Sequence, residues 1–537
     1  MVFPCNWRSG KLSLWLVWAL GLIGTLGATA GWAKVTAYSA PPEYHRASQL
    51  YTVTMDGNPV SVLVSTGGED GPIHYARAAL AGGAKVAVTV SHAFKKEAVH
   101  FTGLVGNAQA SDHELKFEVD GPRYVMLEID DLEPLCLLLD PEETEAPRPH
   151  EAGVTEAVAP DLDPTGQRVA TRAIQTLIDR VSARGGGILY FGPGLYRTGT
   201  LLLKSNVSLY LHGDAVLLGA RSASDFPPIG SGSHKGKTAT ARALLYAIEA
   251  HDVRVFGRGV IDANGDGTDF KGILAAMGLI RCDRLRLEGI TLLNGRGWTV
   301  VGFSQHVNIQ RFKSLQPMLH ATDDALDICN CQDVQIDHCL LAAGDDSFCV
   351  KTCSTRSGMA STWGYREDET RPLSAEQVEL RHSFLFSNAA AIKIGIQAFR
   401  DIRHVVCEDL DIVRGRALNI AHSQGTGVIS NVVFRDIRFG RVASAKQYKA
   451  PTTPIDFVTN EVKGTPAPRG GAVQNVLLQN VAFGTVGQVR SRIAAEGEYA
   501  FSGVRLIGVT IAGRPVTDAA SGDIEVTGAV HDLTFER

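Results

Sequence analysis

Short segments in which apolar residues alternate with polar ones, separated by turn residues, occupy most of the chain. In the second half many of these segments begin alike, and a spacing of 27 or 28 residues between their starts recurs. They start at Val253, Leu285, Val307, Val334, Val378, Val405, Val432, Val476 and Val504. Coils of variable length built from short strands are typical of a parallel β-helix, in which each coil covers the next. A large sandwich or a propeller is the alternative, but propeller blades have a more constant period.

The first part of the chain has shorter strands and more frequent turns. Strands are predicted at residues 50–54, 60–64, 85–90 and 124–129, and this spacing indicates a small β-sandwich. We assign residues 34–145 to this domain, which either supports the rest of the chain or contacts carbohydrate. Residues 146–163 are rich in proline and acids and are predicted to form a linker.

The β-helix is assigned to residues 164–537, so the predicted fold class is all-β. One helix is predicted over residues 169–184, where apolar residues recur at helical spacing and 185–187 (GGG) ends the pattern. A helix at this place can cover the open end of the first coil. Residues 355–376 break the strand pattern and are predicted to form a long polar loop over one face.

Length, charge and the N-terminus limit the possible classes of protein. With 537 residues and a net charge of −5, two domains or one elongated repeat are expected, and no nucleic-acid partner is indicated. Arg8 and Lys11 precede an apolar run at 12–26 and small residues at 28–30 (ATA). This pattern predicts a signal peptide over residues 1–33, with a membrane anchor as the alternative. The protein is therefore expected to be secreted or periplasmic, without stable membrane association after signal removal, and its oligomeric state stays open.

Eight cysteines follow the predicted signal peptide: Cys136, Cys282, Cys329, Cys331, Cys339, Cys349, Cys353 and Cys407. Export permits disulfides, but their connectivity does not follow from the sequence. The C-x-C spacing at residues 329–331 fits zinc poorly, and no histidine pair completes such a site. Buried thiols or disulfides between coils are predicted instead.

Two acidic turns, residues 322–327 (TDDALD) and 344–346 (GDD), each precede an apolar strand segment about one coil apart. Adjacent coils of a parallel sheet lie roughly 4.8 Å apart, so acids at matching positions become neighbours. Aligning the apolar positions places Asp324 beside Asp346, with Asp345 next to both. The same alignment places three further residues in one exposed row, namely Asp327, Cys349 and Lys393.

Clustered carboxylates repel one another, which raises the pKa of at least one of them. A raised pKa suits a general acid, and an ionised neighbour suits a general base. Inverting glycoside hydrolases use two such carboxyl groups roughly 6.5–9.5 Å apart. Two other interpretations stay open: turn acids that bond backbone N–H groups, and a calcium site.

Several motifs resemble those of glycoside hydrolase family 28, the polygalacturonases and their pectin-cleaving relatives. The resemblance covers roughly residues 164–515 and includes 173–175 (AIQ), 185–194 (GGGILYFGPG), 203–207 (LKSNV), 257–262 (GRGVID) and Trp298. It implies a right-handed parallel β-helix whose Asn-Thr-Asp-Gly-x-Asp and Gly-Asp-Asp motifs carry catalysis. Asp345 would then be the general acid, and Asp324 and Asp346 would activate water. The preceding sandwich is similar to the two-domain plan of family 49 dextranases.

Two motifs of that family are altered in this chain. Gly-His-Gly becomes 389–391 (AAA), so Ala390 replaces the histidine, and Arg-Ile-Lys becomes 419–421 (NIA). In polygalacturonases the lost cations grip the galacturonate carboxylate, a task that suits Arg and Lys. Substitutes for the lost charge are Lys393, Arg414, Arg416 and His422.

The sequence therefore predicts an exported glycoside hydrolase that cleaves a polysaccharide by inversion, of pectin type or on a related substrate, without a cofactor or metal. The predicted substrate-binding residues are Lys393, Asp327, Asn419, Lys351 and His422. One alternative is a calcium-dependent polysaccharide lyase, in which the acids hold calcium and Lys393 abstracts a proton. Another is a non-catalytic carbohydrate-binding β-helix protein.

Overall fold

The computed structural model describes residues 34–66, 71–103, 105–129, 131–158, 162–234, 237–269, 272–316, 322–353, 373–443, 452–459, 471–486, 490–497 and 499–537. The predicted signal peptide and most of the predicted polar loop (residues 355–372 of it) lie outside these ranges. Within them, no helix combines the length and the apolar character needed to cross a bilayer.

The first eleven strands form two sheets that pack face to face. They are β1 Val35–Ala37, β2 Tyr51–Met55, β3 Asn58–Val60, β4 Val62–Val64, β5 His74–Leu80, β6 Ala84–Val90, β7 Val99–Thr102, β8 Gly106–Ala110, β9 Glu114–Val119, β10 Arg123–Ile129 and β11 Leu135–Pro141. One sheet has the order β3-β2-β6-β9-β8, and the other has the order β1-β5-β11-β10-β7 with β4 beside β5. Every second residue of β6 is buried, as expected of a strand with one face on a core. The predicted sandwich is confirmed.

The rest of the described chain is a coil of short strands with one helix, α1 Thr171–Ala183. Its first strands are β12 Val154–Glu156, β13 Thr165–Val169, β14 Gly187–Phe191, β15 Gly194–Thr198, β16 Leu201–Leu202, β17 Val207–Leu211, β18 Ala215–Gly219, β19 Gly230–His234, β20 Lys237–Ile248, β21 His251–Gly257, β22 Val260–Asp262, β23 Ile273–Ile280, β24 Asp283–Glu288, β25 Thr291–Leu293, β26 Val300–Gly302, β27 Gln305–Gln310 and β28 Lys313–Leu315. The strands that follow are β29 Leu326–Cys329, β30 Gln332–Asp337, β31 Leu340–Ala343, β32 Phe348–Thr352, β33 Ala375–Arg381, β34 Phe384–Ser387, β35 Ile392–Ala398, β36 Ile402–Gly415, β37 Leu418–Gln424, β38 Ile429–Val442, β39 Ile455–Thr459, β40 Ala472–Val486, β41 Ser491–Ala495, β42 Ala500–Ile507, β43 Thr510–Ile511, β44 Arg514–Pro515, β45 Ile524–Thr527, β46 Val530–His531 and β47 Thr534–Glu536.

These strands form two long, largely parallel sheets, which makes this part of the chain a parallel β-helix as predicted. Most coils contribute two strands to a 24-stranded sheet and one to a 12-stranded sheet, whose order includes β26-β29-β32-β35-β37-β39-β41. The nine predicted repeat starts pair from coil to coil, from Val253 with Leu285 through to Val476 with Val504. Alternation predicted this register because a slip of one residue would turn every apolar side chain outward.

The β-helix begins earlier than predicted. β12 lies inside the stretch assigned to a linker, yet it pairs in parallel with β14. With only three residues, this strand is too short to show a period in the sequence. The helix α1 follows within the predicted range, and its buried residues Ile174, Leu177, Ile178 and Val181 join the core of the β-helix. All eight cysteines of the described residues are buried free thiols.

The sandwich packs on the outer face of the 24-stranded sheet. Its Tyr75, Met126 and Leu138 join a buried cluster with Leu218 and Leu315 of the β-helix. Polar contacts cross the same boundary between the two parts. Asp262 is the acid of the GRGVID motif. Its Oδ2 accepts a hydrogen bond from the Tyr44 hydroxyl at 2.6 Å and lies 3.1 Å from Arg46 Nε. Lys313 Nζ lies 2.5 Å from Asp140 Oδ2, and both side chains are buried.

Candidate active site

The two acidic turns lie next to each other, each just before a strand of the 12-stranded sheet. Leu326 pairs with Phe348, and Phe348 with Ile392, as the alignment of apolar positions predicted. Each turn bonds to the next: Ala325 N donates to Asp346 O at 3.1 Å. The strand register therefore fixes which acids meet.

The outward row of the 12-stranded sheet runs Asp327, Cys349, Lys393 and Asn419. The prediction that this row is exposed was wrong for Asp327 and Cys349, which are both fully buried. Lys351 contacts both Asp327 and the aromatic ring of Trp298. Lys351 Nζ lies 2.8 Å from Asp327 Oδ2 and 3.9 Å from the centre of the Trp298 ring. Lys351 thus pairs with a buried acid, and the substrate contacts predicted for Lys351 and Asp327 stay predictions.

Asp324 and Asp346 approach each other around a thiol. One oxygen of Asp324, one oxygen of Asp346 and Cys349 Sγ all lie within 4.8 Å of one another. Cys349 Sγ is 3.8 Å from Asp324 Oδ2 and 3.7 Å from Asp346 Oδ2. Both carboxyl groups are buried.

The two carboxyl groups have different electrostatic environments. Burial raises the pKa of Asp324 well above its ordinary value, and the neighbouring charges of Asp327 and Asp345 raise it further. Among the residues that the structure describes, the Oδ1 atom of Asp324 has no hydrogen-bond partner. Burial also acts to raise the pKa of Asp346, but the ammonium of Lys393, which bonds directly to Asp346 Oδ2, outweighs it and lowers that pKa. Asp324 therefore favours the protonated form and Asp346 the ionised form.

Asp345 differs from its two neighbours because it is only partly buried. Its backbone is held between coils: its N–H donates to Asp323 O at 3.4 Å, and its carbonyl accepts from Ser387 Oγ at 2.6 Å. Asp323, which stands where the family has threonine, is buried and accepts from Gly297 N at 3.1 Å. The backbone around Asp345 is thus fixed at the edge of the cluster that meets solvent.

The altered family motifs lie beside these acids. Ala390, at the position of the lost histidine, is buried, and its N–H donates to Asp346 Oδ1 at 2.9 Å. Asn419, at the position of the lost arginine, is buried and donates to Asp456 O at 2.8 Å and to Asp456 Oδ2 at 3.1 Å. The substrate contact predicted for Asn419 stays a prediction.

His422, predicted to bind substrate, is also fully buried. Its Nε2 lies 2.7 Å from Gly427 O, and its ring packs at 4.9 Å on Tyr499. Burial lowers the pKa of His422, so it supplies no positive charge. Strand alternation places His422 on the same face as the core residues Leu418 and Ile420, and its substrate contact stays a prediction.

The continuation of the outward row was missed in the sequence. Asn419 pairs with Asp456, and Asp456 with Arg492. Arg492 Nε lies 2.6 Å from Asp456 Oδ1, and Arg416 Nη2 lies 3.8 Å from Asp456 Oδ2. Asp456 is buried, whereas both arginines reach solvent in part. Aligning 455–457 (IDF) with 418–420 (LNI) would have found this cluster.

The acids fit a calcium ion poorly. Calcium takes about six to eight oxygen ligands, but the donors that converge here are two carboxylates and the thiol of Cys349. Lys393 bonds to one of these carboxylates, and Lys351 Nζ lies 3.7 Å from the other. In the described residues, the ammonium groups of the two lysines lie where a metal ion would have to bind.

Two proteins of known description resemble the sequence over part of its length, and no family model matches it. A Vitis vinifera protein described as a probable polygalacturonase is 28% identical over 264 residues, which are 46% of this chain and 52% of that protein. An exo-poly-α-D-galacturonosidase of Dickeya chrysanthemi is 32% identical over 108 residues, 19% of this chain and 18% of that protein. The chain thus spans about half the length of the first relative and under a fifth of the second. These matches confirm the resemblance to polygalacturonases.

Many solved structures resemble the fold, and two of them are compared with it. An exopolygalacturonase of Thermotoga maritima has a TM-score of 0.50 at 15% identity, covering 72% of this chain and 92% of its own. Dex49A of Penicillium minioluteum has a TM-score of 0.52 at 13% identity, covering 93% of this chain and 96% of its own. At such low identity these matches establish the β-helix fold, and the second extends over nearly the whole chain.

Proposed function

We propose that the chain is an exported glycoside hydrolase that cleaves a pectin-type polysaccharide by inversion. The observation that carries the proposal is the meeting of Asp324 and Asp346 on adjacent coils, with their pKa values shifted in opposite directions. An ionised carboxylate beside a protonated carboxyl group can orient a water molecule and accept its proton, which is the base half of acid–base catalysis. The description of the two sequence relatives as galacturonan-cleaving enzymes supports the substrate class.

The three acids take different parts in the proposed reaction. Asp345, at the solvent edge, donates a proton to the leaving glycosidic oxygen. Asp346, kept ionised by Lys393, accepts the proton of the attacking water. Asp324 and Asp346 have carboxyl oxygens within 4.8 Å, closer than the roughly 6.5–9.5 Å between the acid and the base of an inverting enzyme. They therefore act together on the water, Asp324 orienting it and Asp346 taking its proton.

Arginines further along the outward row are proposed to bind the carboxylates of a uronate chain. Arg416 and Arg492 converge on the single carboxylate of Asp456, so two partly exposed guanidinium groups share one buried acid. Arginine binds carboxylates by paired, charge-assisted hydrogen bonds. The pair thus takes over the task of the missing Arg-Ile-Lys motif, with Arg416 one coil and Arg492 three coils from Lys393.

The lyase alternative is not favoured, because its base would have to be a neutral amine. Burial acts to lower the pKa of Lys393, but Asp346 outweighs it and raises that pKa above its ordinary value. Lys393 is therefore an ammonium without a lone pair. A lyase of this kind would also need calcium, which the acids fit poorly.

The proposal is tested by following the products from homogalacturonan, rhamnogalacturonan and dextran. We expect new reducing ends from a uronate-containing chain, with the first product formed in the inverted anomeric configuration, as observed by proton NMR. Treatment with a chelator should leave the rate unchanged. Products that absorb in the near ultraviolet, with activity lost to the chelator, would instead identify a lyase. Binding to glycans without new reducing ends would identify a non-catalytic protein.

Lys393→Met is expected to move the acidic limb of the pH profile of kcat/KM to higher pH. Lys393 lowers the pKa of Asp346 against the effect of burial. Without the ammonium, burial raises that pKa, so the base becomes ionised only at higher pH and activity at low pH falls. The exposed Lys116, paired with Glu114 at 2.7 Å, supplies the control variant Lys116→Met, whose profile should match the wild type. An unshifted limb in Lys393→Met would contradict the role of Asp346.

A further inference from the structure

Two histidines and an aspartate come together at a bend of the 24-stranded sheet, away from the acidic turns. His338 follows the end of β30 and His382 follows the end of β33, two strands that pair in parallel. Both residues have left-handed backbones, with φ of 52° and 46°. Their rings lie with centroids 4.9 Å apart and planes inclined by 34°. The same bend in adjacent coils therefore places one imidazole beside the other.

A single carboxylate joins the two imidazoles. His338 Nδ1 lies 2.8 Å from Asp337 Oδ2, and His382 Nδ1 lies 2.7 Å from Asp337 Oδ1. All three side chains are partly exposed, with 36–47% of each accessible to solvent. Two nitrogens and a carboxylate thus converge on one point that solvent can reach.

We propose that Asp337, His338 and His382 bind a divalent transition-metal ion, for which Zn²⁺ is the representative. Imidazole nitrogen with carboxylate oxygen is a donor set that suits zinc and its neighbours and does not suit calcium. Metal–ligand bonds of about 2.0–2.1 Å in a tetrahedron place the ligand atoms roughly 3.3 Å apart. One ligand atom from each of the three residues lies within 4.8 Å of the other two, so small movements of exposed side chains bring the three to these separations.

The binding requires each imidazole to be neutral, with its proton on Nε2 and its Nδ1 turned to the metal. Asp409 Oδ2 lies 3.9 Å from His382 Nε2, so a movement of about 1 Å makes the hydrogen bond that holds His382 in that form. Arg438 Nη2 fixes the other oxygen of Asp409 at 2.8 Å. A metal-bound histidine usually donates its second N–H to a carboxylate in this way, which orients the ring. Water would complete the coordination from the open side.

The arrangement differs from the other histidine–aspartate pairs on the surface. His306 Nδ1 lies 2.7 Å from Asp283, and His251 Nδ1 lies 2.9 Å from Asp252. Each of those acids meets one imidazole in the recorded contacts, whereas Asp337 meets two. A metal at Asp337 would join the coil of β30 to the coil of β33, so it would stabilise the folded chain by mass action.

The test uses tag-free, chelator-treated full-length protein, titrated with Zn²⁺ by calorimetry and followed by thermal unfolding. We expect the wild type to bind Zn²⁺ and to show a higher Tm with the metal. His382→Gln and His338→Gln should each weaken binding roughly 100-fold or more, since even losing a supporting residue weakens a metal site 10- to 100-fold. Both variants replace exposed side chains, so their Tm without metal should stay near that of the wild type.

His306→Gln is the matched control, because it removes an exposed histidine bonded to one aspartate on the same sheet. Its affinity for Zn²⁺ and its metal-dependent rise in Tm should equal those of the wild type. The proposal is overturned if the wild type does not bind Zn²⁺. It is equally overturned if His382→Gln and His338→Gln bind it as tightly as His306→Gln does, since the metal would then lie elsewhere.

Discussion

Asp345→Asn is expected to lower kcat by about 10²- to 10⁴-fold on any polysaccharide that the wild type cleaves, the usual contribution of a general acid. The amide has nearly the same shape as the acid but cannot donate a proton to the leaving oxygen. Because the backbone of Asp345 is held by Asp323 and Ser387, the substitution should leave the fold intact. Initial rates of reducing-end release, with Tm measured on the same samples, check this.

Varying the leaving group of the substrate distinguishes the role of the general acid from the role of the general base. A substrate with a strongly acidic leaving group, such as an aryl glycoside, needs little protonation, so Asp345→Asn should lose far less activity on it. Asp346→Asn should stay impaired on both substrates, because water must be activated in either case. Asp532→Asn is the control, since Asp532 is an exposed turn residue with a φ of 54° that asparagine also adopts. Full activity of Asp345→Asn on the polysaccharide would show that Asp345 is not the general acid.

The strand register at the candidate site could be predicted because side chains along a β-strand alternate between two faces every second residue. Leu326, Phe348 and Ile392 had to face the core, and that requirement alone placed Asp324 beside Asp346. The same alternation, applied to β37, would have placed His422 on the core face, where it lies. The prediction for His422 rested on the chemistry of its side chain and did not use its position in the strand.

Burial and charge pairing could not be predicted in the same way. Asp327 is outward in the strand yet buried, and Lys351 of the next coil bonds to it while packing on Trp298. Alternation states which face a residue occupies, but long side chains of neighbouring coils decide what covers that face. The opposite pKa shifts of Asp324 and Asp346 follow from such contacts, since only one of the two bonds directly to Lys393.

The attachment of the sandwich was also outside the reach of the sequence pattern. Lys313 and Asp140 are 173 positions apart, and nothing in their local sequence indicates that they pair. The acid of the GRGVID motif, Asp262, turns out to hold Tyr44 and Arg46 of the sandwich. The motif thus makes a contact between the two parts of this chain.

Lys313→Ala is expected to lower the free energy of unfolding by about 3–5 kcal/mol, the usual effect of removing one partner of a buried ion pair. Lys313 is fully buried, and burial lowers its pKa to about 8 although Asp140 opposes the shift. Removing the ammonium leaves the buried Asp140 carboxylate with Tyr124 at 3.2 Å and Arg258 at 3.8 Å, which compensate it in part. Urea unfolding of the full chain, followed by near-ultraviolet circular dichroism, measures the change.

A second substitution shows whether the loss comes from the unpaired charge. In Lys313→Met with Asp140→Asn, neither residue is charged, so the double variant should recover most of the stability that Lys313→Ala loses. Lys116→Ala breaks an exposed pair with Glu114 and should lower stability by no more than about 1 kcal/mol. If Lys313→Ala loses no more than Lys116→Ala, the pair does not hold the sandwich on the β-helix. The apolar cluster around Tyr75, Met126 and Leu138 would then hold the two parts together without it.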